Sequence, residues 1–307
     1  MIPMKMWSGI LAVLLALTGC AATPPTPADG RLAVVASFYP LQFVVERVGG
    51  DRVAVTTLTQ PGVDPHDVEL TPTQVAAISR AALVVYQKGL QAAVDRVVET
   101  EGPARVVEAT EVVPLHDHPA GTEAAPVDAD HAHASADPHT WLDPTTMAAY
   151  GRAVAGALAA VDPGHAGEYA QRADSLAAEL TTLDTAFSQG LASCDRRTFV
   201  TAHDAFGYLA ERYGLTQVSI AGLAPDAEPS PARVAEVQRI AKQTRVTTIF
   251  YETLTSPAVA TAIAGDLGLR TDVLDPLEGL TGESRGTDYI AVMTANLTAL
   301  RTANGCR

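Results

Sequence analysis

One pattern constrains this chain more than any other: short β-branched runs alternate with longer amphipathic stretches, and the whole alternation occurs twice. In the first half the runs are Leu32–Ala36, Val53–Leu58, Leu83–Tyr86 and Arg105–Ala109, with helix-period segments at 40–48, 72–82 and 90–98 between them. In the second half they are Thr198–Thr201, Gln217–Ile220, Thr247–Tyr251 and Arg270–Leu274. Strand and helix in turn build a parallel sheet covered on both faces, because parallel neighbours need a crossover long enough to hold a helix. The predicted fold class is therefore α/β, as two lobes, each a four-stranded parallel sheet flanked by helices. Between the halves, 143–191 carries no strand-like run. Asp143-Pro144 and Asp162-Pro163 there each place a capping carboxylate before a proline at the first helical position. From Pro163 to about Leu191 the apolar residues Leu176, Leu180, Leu183 and Phe187 keep a helical spacing, giving one buried stripe over roughly 40 Å. A helix of that length acts as a rigid strut. The expected boundaries are an N-terminal lobe over 32–161, a linker helix over 162–191 and a C-terminal lobe over 192–307.

The N-terminus is a processing signal rather than part of the fold. Lys5 precedes an apolar run, Ile10 to Leu17, that is too short to span a bilayer, so 1–19 reads as a signal peptide. The run ends in Leu17-Thr-Gly-Cys20, which resembles the lipobox of bacterial lipoproteins. That resemblance implies lipidation of Cys20 and an extracytoplasmic, membrane-anchored protein. The segment 20–31, with Pro24, Pro25 and Pro27, reads as an extended tether. Cys194 and Cys306 are then the remaining thiols, and an oxidising compartment favours a disulfide between them over two buried free thiols. The formal net charge of −14 repels phosphate backbones, which excludes nucleic acid as a partner.

Four candidate metal ligands stand where strands end or loops open. His66 follows the second strand, His139 precedes the first connector helix, His203 follows Thr198–Thr201 almost directly, and Asp275 follows Arg270–Leu274. In open parallel sheets ligands sit beyond the carboxyl ends of strands, so the two pairs can face one another across a cleft between lobes. Three imidazoles and a carboxylate suit a tetrahedral Zn²⁺, with Mn²⁺ as the alternative. Read alone, Asp275 is a cap or turn residue before Pro276, and each histidine alone has a surface or capping reading. Glu69, three residues after His66, is positioned like a metallohydrolase base. A fourth ligand at Asp275 would leave that chemistry no open position, so Glu69 and Glu252 are read as supporting or surface carboxylates. No Gly-rich phosphate loop or Ser/His/Asp order points to another catalyst, and the chain is read as no enzyme. Trp141 is read as lobe packing. The segment 116–136 breaks the alternation with His116, His118, His131 and His133 among Gly, Pro, Ala and acidic residues. It reads as a low-complexity loop without fixed structure when no ligand is bound, and its histidines as a weak secondary metal site.

Gly62-Val-Asp-Pro-His-Asp-Val-Glu69, Asp137-Pro-His-Thr-Trp-Leu-Asp-Pro144, Thr201-Ala-His-Asp-Ala-Phe-Gly-Tyr208 and Val273-Leu-Asp-Pro-Leu277, in this order, resemble the metal-binding subfamily of ABC-transporter solute-binding proteins, the zinc and manganese uptake lipoproteins. The resemblance implies a receptor that hands metal to an ABC-transporter permease, a long interdomain helix, and His66, His139, His203 and Asp275 as ligands. It also implies that the loop is of the kind found in zinc-type members. Manganese-type members tend to carry Glu where this chain has His203, and nitrogen in place of oxygen moves the preference toward zinc. A manganese or mixed-metal receptor, or a surface adhesin of the same lipoprotein class, are the alternatives. The chain is expected to act as a monomer.

Overall fold

The computed structural model describes residues 30–116, 118, 136–225 and 227–307. The proposed signal peptide, Cys20, most of the tether, and His131 and His133 of the loop lie outside them. The first lobe runs β1 (Leu32–Ala36), α1 (Tyr39–Gly49), β2 (Val53–Thr57), α2 (Pro72–Arg80), β3 (Leu83–Tyr86), α3 (Ala92–Glu101), β4 (Val106–Glu108) and the single turn α4 (Ala109–Val112). Two long helices follow, α5 (Pro144–Val161) and α6 (Ala166–Gly190). The second lobe is β5 (Thr198–Thr201), α7 (Gly207–Tyr213), β6 (Thr216–Ser219), α8 (Pro231–Thr244), β7 (Thr248–Tyr251), α9 (Ala258–Leu267), β8 (Arg270–Val273) and α10 (Tyr289–Asn304).

Both sheets are four-stranded and parallel, in the orders β2-β1-β3-β4 and β6-β5-β7-β8. The two lobes therefore share one topology, each with its switch point beside its first strand. All four side chains of Leu83-Val-Val-Tyr86 are buried, as expected of a strand covered on both faces. On one face of the first sheet Val35, Leu58 and Val84 pack with Ile78 of α2 and Val94 and Val98 of α3. The equivalent face of the second sheet joins Val200, Val218 and Ile249 to α8 and α9. The opposite faces of both sheets share one continuous core with α1, α5, α6 and α10.

The strut is present as α6, 25 residues or about 37 Å long. Its stripe of Leu176, Leu180, Leu183 and Phe187 is buried, extended by Tyr169 and Ala173, against α5, α1 and α10. Only one of the two Asp-Pro pairs caps as expected. Asp143 accepts the Thr145 N–H at 2.7 Å at the start of α5. Asp162 instead receives the Tyr169 hydroxyl at 2.8 Å and faces His165 Nδ1 at 2.6 Å, and a 3₁₀ turn, Pro163–His165, precedes α6. Trp141 is fully buried where the lobes meet. Its indole N–H donates to the Pro276 carbonyl at 2.7 Å, and its own carbonyl accepts from the Tyr289 hydroxyl at 2.7 Å. Cys194, ahead of β5, and Cys306, just past α10, are joined by a disulfide.

Candidate metal centre

Four segments carry side chains into the space between the lobes. Asp64 accepts the His66 N–H at 2.8 Å and so winds the turn Pro65–Asp67 that follows β2 and holds His66. Asp137 accepts both the backbone N–H of His139 (2.9 Å) and its Nδ1–H (2.7 Å), which fixes that ring and turns Nε2 toward the cleft. Beyond β5, His203 is held in the same manner from the other lobe: Glu252, directly after β7, takes its Nδ1–H at 2.6 Å. The fourth group is the carboxylate of Glu278, beyond β8.

Glu278 Oε1 lies 3.2 Å from His66 Nε2, 3.2 Å from His139 Nε2 and 3.5 Å from His203 Nε2, and the last two nitrogens are 3.4 Å apart. A tetrahedron with metal–ligand bonds of about 2.0–2.1 Å has edges of about 3.3 Å. Four of the six donor–donor separations therefore already match the edges of a tetrahedron, and the other two lie within 4.8 Å. His139, His203 and Glu278 are almost wholly buried, while the His66 side chain retains 17% exposure and forms the outer rim of the site. The second oxygen of Glu278 is buried with no hydrogen-bond partner among the described residues. A buried oxygen of this kind is costly unless a cation or solvent satisfies it.

The electrostatics are those of a site built for a cation. Burial pulls the His139 imidazole down, but its hydrogen bonds to Asp137 and Glu278 outweigh this and hold it at about 9. His203 is likewise raised well above 6.5, the contacts with Glu252 and Glu278 overcoming burial. Burial would raise Glu278, yet the three imidazoles keep it well below the usual carboxylate range, and His118 and His139 against Asp137 bring that acid to about 2.

Of the four residues expected from the sequence, His66, His139 and His203 come together and Asp275 does not. Both Asp275 oxygens are engaged elsewhere, Oδ1 by the Leu277 N–H (2.8 Å) and Oδ2 by the Ser284 and Thr253 hydroxyls (2.8 and 3.3 Å). The carboxylate beside the histidines is Glu278. The physical reason lies in the intervening turn: Asp275 stabilises Leu277 at a φ of +61°, and this left-handed residue carries the chain on so that Glu278 reaches the cleft. The turn-forming habit of Asp before Pro was the available signal. Glu252 sits against His203, whereas Glu69 is exposed. From the loop, His116 and His118 gather around Glu211 of α7, outside the buried group.

Residues 34–303 match the family described as zinc-uptake complex component A periplasmic. The zinc-binding lipoprotein AdcA of Streptococcus pneumoniae is 37% identical over 97% of this chain, and the match spans only 61% of that relative's length. The high-affinity zinc uptake system protein ZnuA of Bacillus subtilis is 34% identical, with 97% of each chain covered. Among solved structures, the Zn(II)-bound ZnuA-like domain of pneumococcal AdcA superposes with a TM-score of 0.75 at 34% identity, covering 90% of this chain and 99% of that one. With that match running through both lobes and every segment that supplies the buried cluster, the chain belongs to the zinc-uptake complex component A family.

Proposed function

We propose that this chain is the extracytoplasmic zinc receptor of an ABC-type uptake complex, binding Zn²⁺ through His66, His139, His203 and Glu278 and delivering it to the permease. The observation that carries the reading is the convergence of three imidazole nitrogens and one carboxylate oxygen, drawn from both lobes, within 4.8 Å of one another, with four of the six separations at the edge length of a zinc tetrahedron. Zinc is the cargo. Four protein donors leave no open position for the bound water that a hydrolytic zinc needs, so the site carries a metal rather than turning over a substrate. Three nitrogens and one oxygen favour Zn²⁺ over the harder Mn²⁺. Family membership and the names of the relatives support the same reading. Lipidation at Cys20 would hold a monomer at the outer membrane face of the permease, and the loop histidines His116, His118, His131 and His133 would collect zinc beside the cleft. No helix among the described residues is long and apolar enough to cross a membrane.

Competitive zinc and manganese titrations test the reading. Zinc binds more tightly to the wild type, and His203→Glu, which keeps the donor count while exchanging nitrogen for oxygen, loses more zinc than manganese affinity. An unchanged ratio of the two affinities overturns the assignment of His203 as a selectivity-setting ligand.

A further inference from the structure

Two glutamines are buried beside the centre, one in each lobe, and both direct their side chains at a turn that carries an imidazole. Gln87 directly follows β3 and is 1% exposed. Its Nε2–H donates to the Pro138 carbonyl at 2.5 Å, and its Oε1 accepts from the Thr140 hydroxyl at 3.2 Å. One side chain therefore grips the residues on either side of His139. Thr140 is itself anchored, since its hydroxyl lies 2.6 Å from the Tyr150 hydroxyl of α5.

Gln217 of β6, 6% exposed, plays the corresponding part for His203. Beyond β5 and β6 the backbone pairing continues on both sides of this histidine. The Ala221 N–H donates to the Ala202 carbonyl at 2.8 Å, and the Asp204 N–H donates to the Gly222 carbonyl at 3.0 Å. The His203 carbonyl between them is taken by side chains, accepting from the Thr201 hydroxyl at 2.7 Å and from Gln217 Nε2–H at 3.0 Å. The same amide donates to Thr201 Oγ1 at 2.8 Å, which closes a ring of three bonds around that carbonyl.

Neither side chain is needed to pair the strands, whose ladders run through backbone groups. An apolar residue of similar length would bury at either position without removing a polar group from water. With Asp137 and Glu252 on the Nδ1 atoms, each buried imidazole is thus held both at its ring and at its backbone. We propose, resting on the zinc reading above, that Gln87 and Gln217 are positioning residues that fix the separation of His139 and His203 and so set the preference of the centre for Zn²⁺ over Mn²⁺. The two Nε2 atoms stand 3.4 Å apart, an edge length that suits a tetrahedral cation with bonds of about 2.0–2.1 Å. A harder cation of octahedral habit needs further oxygen donors and a more open frame. Rigid turns deny it that frame. Loosened turns let the rings part and admit water, so zinc loses the benefit of a preformed site while manganese loses little.

Competitive zinc and manganese titrations on the purified full chain test this, with wild type set against Gln87→Met, Gln217→Met and the double variant. Methionine keeps the length of glutamine and removes its hydrogen bonds. Groups that orient metal ligands directly contribute about 10–100-fold to affinity; the glutamines act one bond farther out, so each single variant is expected to lower zinc affinity about fivefold and manganese affinity by no more than about twofold. The zinc-to-manganese ratio therefore falls, and falls further in the double variant. With Co²⁺ as a probe, the intense visible bands of a tetrahedral centre weaken in the variants as the coordination number rises. Thr201→Val, nearly isosteric, takes the hydroxyl from the His203 carbonyl and lowers the ratio in the same direction, which keeps the test open where a methionine variant does not fold. Folded variants with the wild-type ratio overturn the proposal, whether both affinities fall together or neither moves, and Co²⁺ bands of unchanged intensity overturn it as well. A wild type that binds no zinc overturns the receptor reading, whereas wild-type zinc binding with an unmoved ratio overturns the positioning role alone.

Discussion

Asp275 and Glu278 lie three positions apart, and the difference in their roles is a matter of one backbone angle. Leu277 between them is buried and left-handed, a conformation that costs an L-residue about 1–2 kcal/mol and is held here by the Asp275 carboxylate. Asp275 is thereby committed to the turn and Glu278 is presented to the histidines. Glu278→Gln should lower zinc affinity at least tenfold, about 1.4 kcal/mol, whereas Asp275→Asn should show mainly as a lower Tm. Paired chelator-competition titrations and melts check this, and the opposite order would return Asp275 to the centre. The buried imidazoles also set a pH dependence. With metal-free His139 held at about 9 and His203 well above 6.5, zinc must displace protons, so apparent affinity rises with pH up to about 9 and falls on acidification. Titrations in buffers of different ionisation enthalpy should register that proton release. The same raised values stabilise the metal-free fold fully below about 6.5, the unfolded value, and that contribution is lost as pH rises through about 9. Asp137 acts oppositely, its contribution present above the usual carboxylate range and lost as pH falls through about 2. Melts of the chelator-treated chain at pH 6 and pH 9 should therefore show the lower Tm at pH 9.

At the level of elements, the disulfide acts on α10. Cys306 follows its last turn, and the bond to Cys194 ties that end to the entry of β5 across a sequence separation of 112. In the chain-entropy model a loop of this size contributes at most about 4–5 kcal/mol. Cys194→Ser/Cys306→Ser should consequently lower Tm by on the order of 10 °C and leave zinc stoichiometry unchanged. Reduction of the wild type should have the same effect. A melt insensitive to both treatments would show that packing of Leu297 and Leu300 alone secures the helix. The caps carry a related lesson. Asp143-Pro144 and Asp162-Pro163 are the same signal, but Asp162 is drawn away by the Tyr169 hydroxyl and His165, and the helix begins a turn later.

For the whole molecule, the decisive fact is that the first lobe supplies His66 and His139 and the second supplies His203 and Glu278. A metal held by all four bridges two bodies already joined by one core and the strut of α6. Binding only to the folded state, zinc at a thousandfold excess over Kd adds about 4 kcal/mol. A rise in Tm of roughly 8–16 °C on zinc addition, reversed by a chelator, is the expected outcome in scanning calorimetry. A zinc-independent Tm would mean that the metal does not engage both lobes.

How much of this was legible beforehand follows the range of the interactions concerned. The strands, the strut and its stripe depend on periodicity within a dozen residues, and the strand ends that bear His66 and His203 follow from the rule for parallel sheets, so the chain alone determined them. Which carboxylate meets the histidines depended on a left-handed leucine, and the acid that orients His203, Glu252, arrives from a segment 49 positions on, whereas Asp137 stands two residues before the His139 it orients. The clustering of His118 with Glu211 needed α7 packed against the loop. The pairings of Glu278 with the histidines, of Glu252 with His203 and of Glu211 with His118 join residues 49 to 212 positions apart, whose energies no local pattern records, and only the tertiary structure decided them.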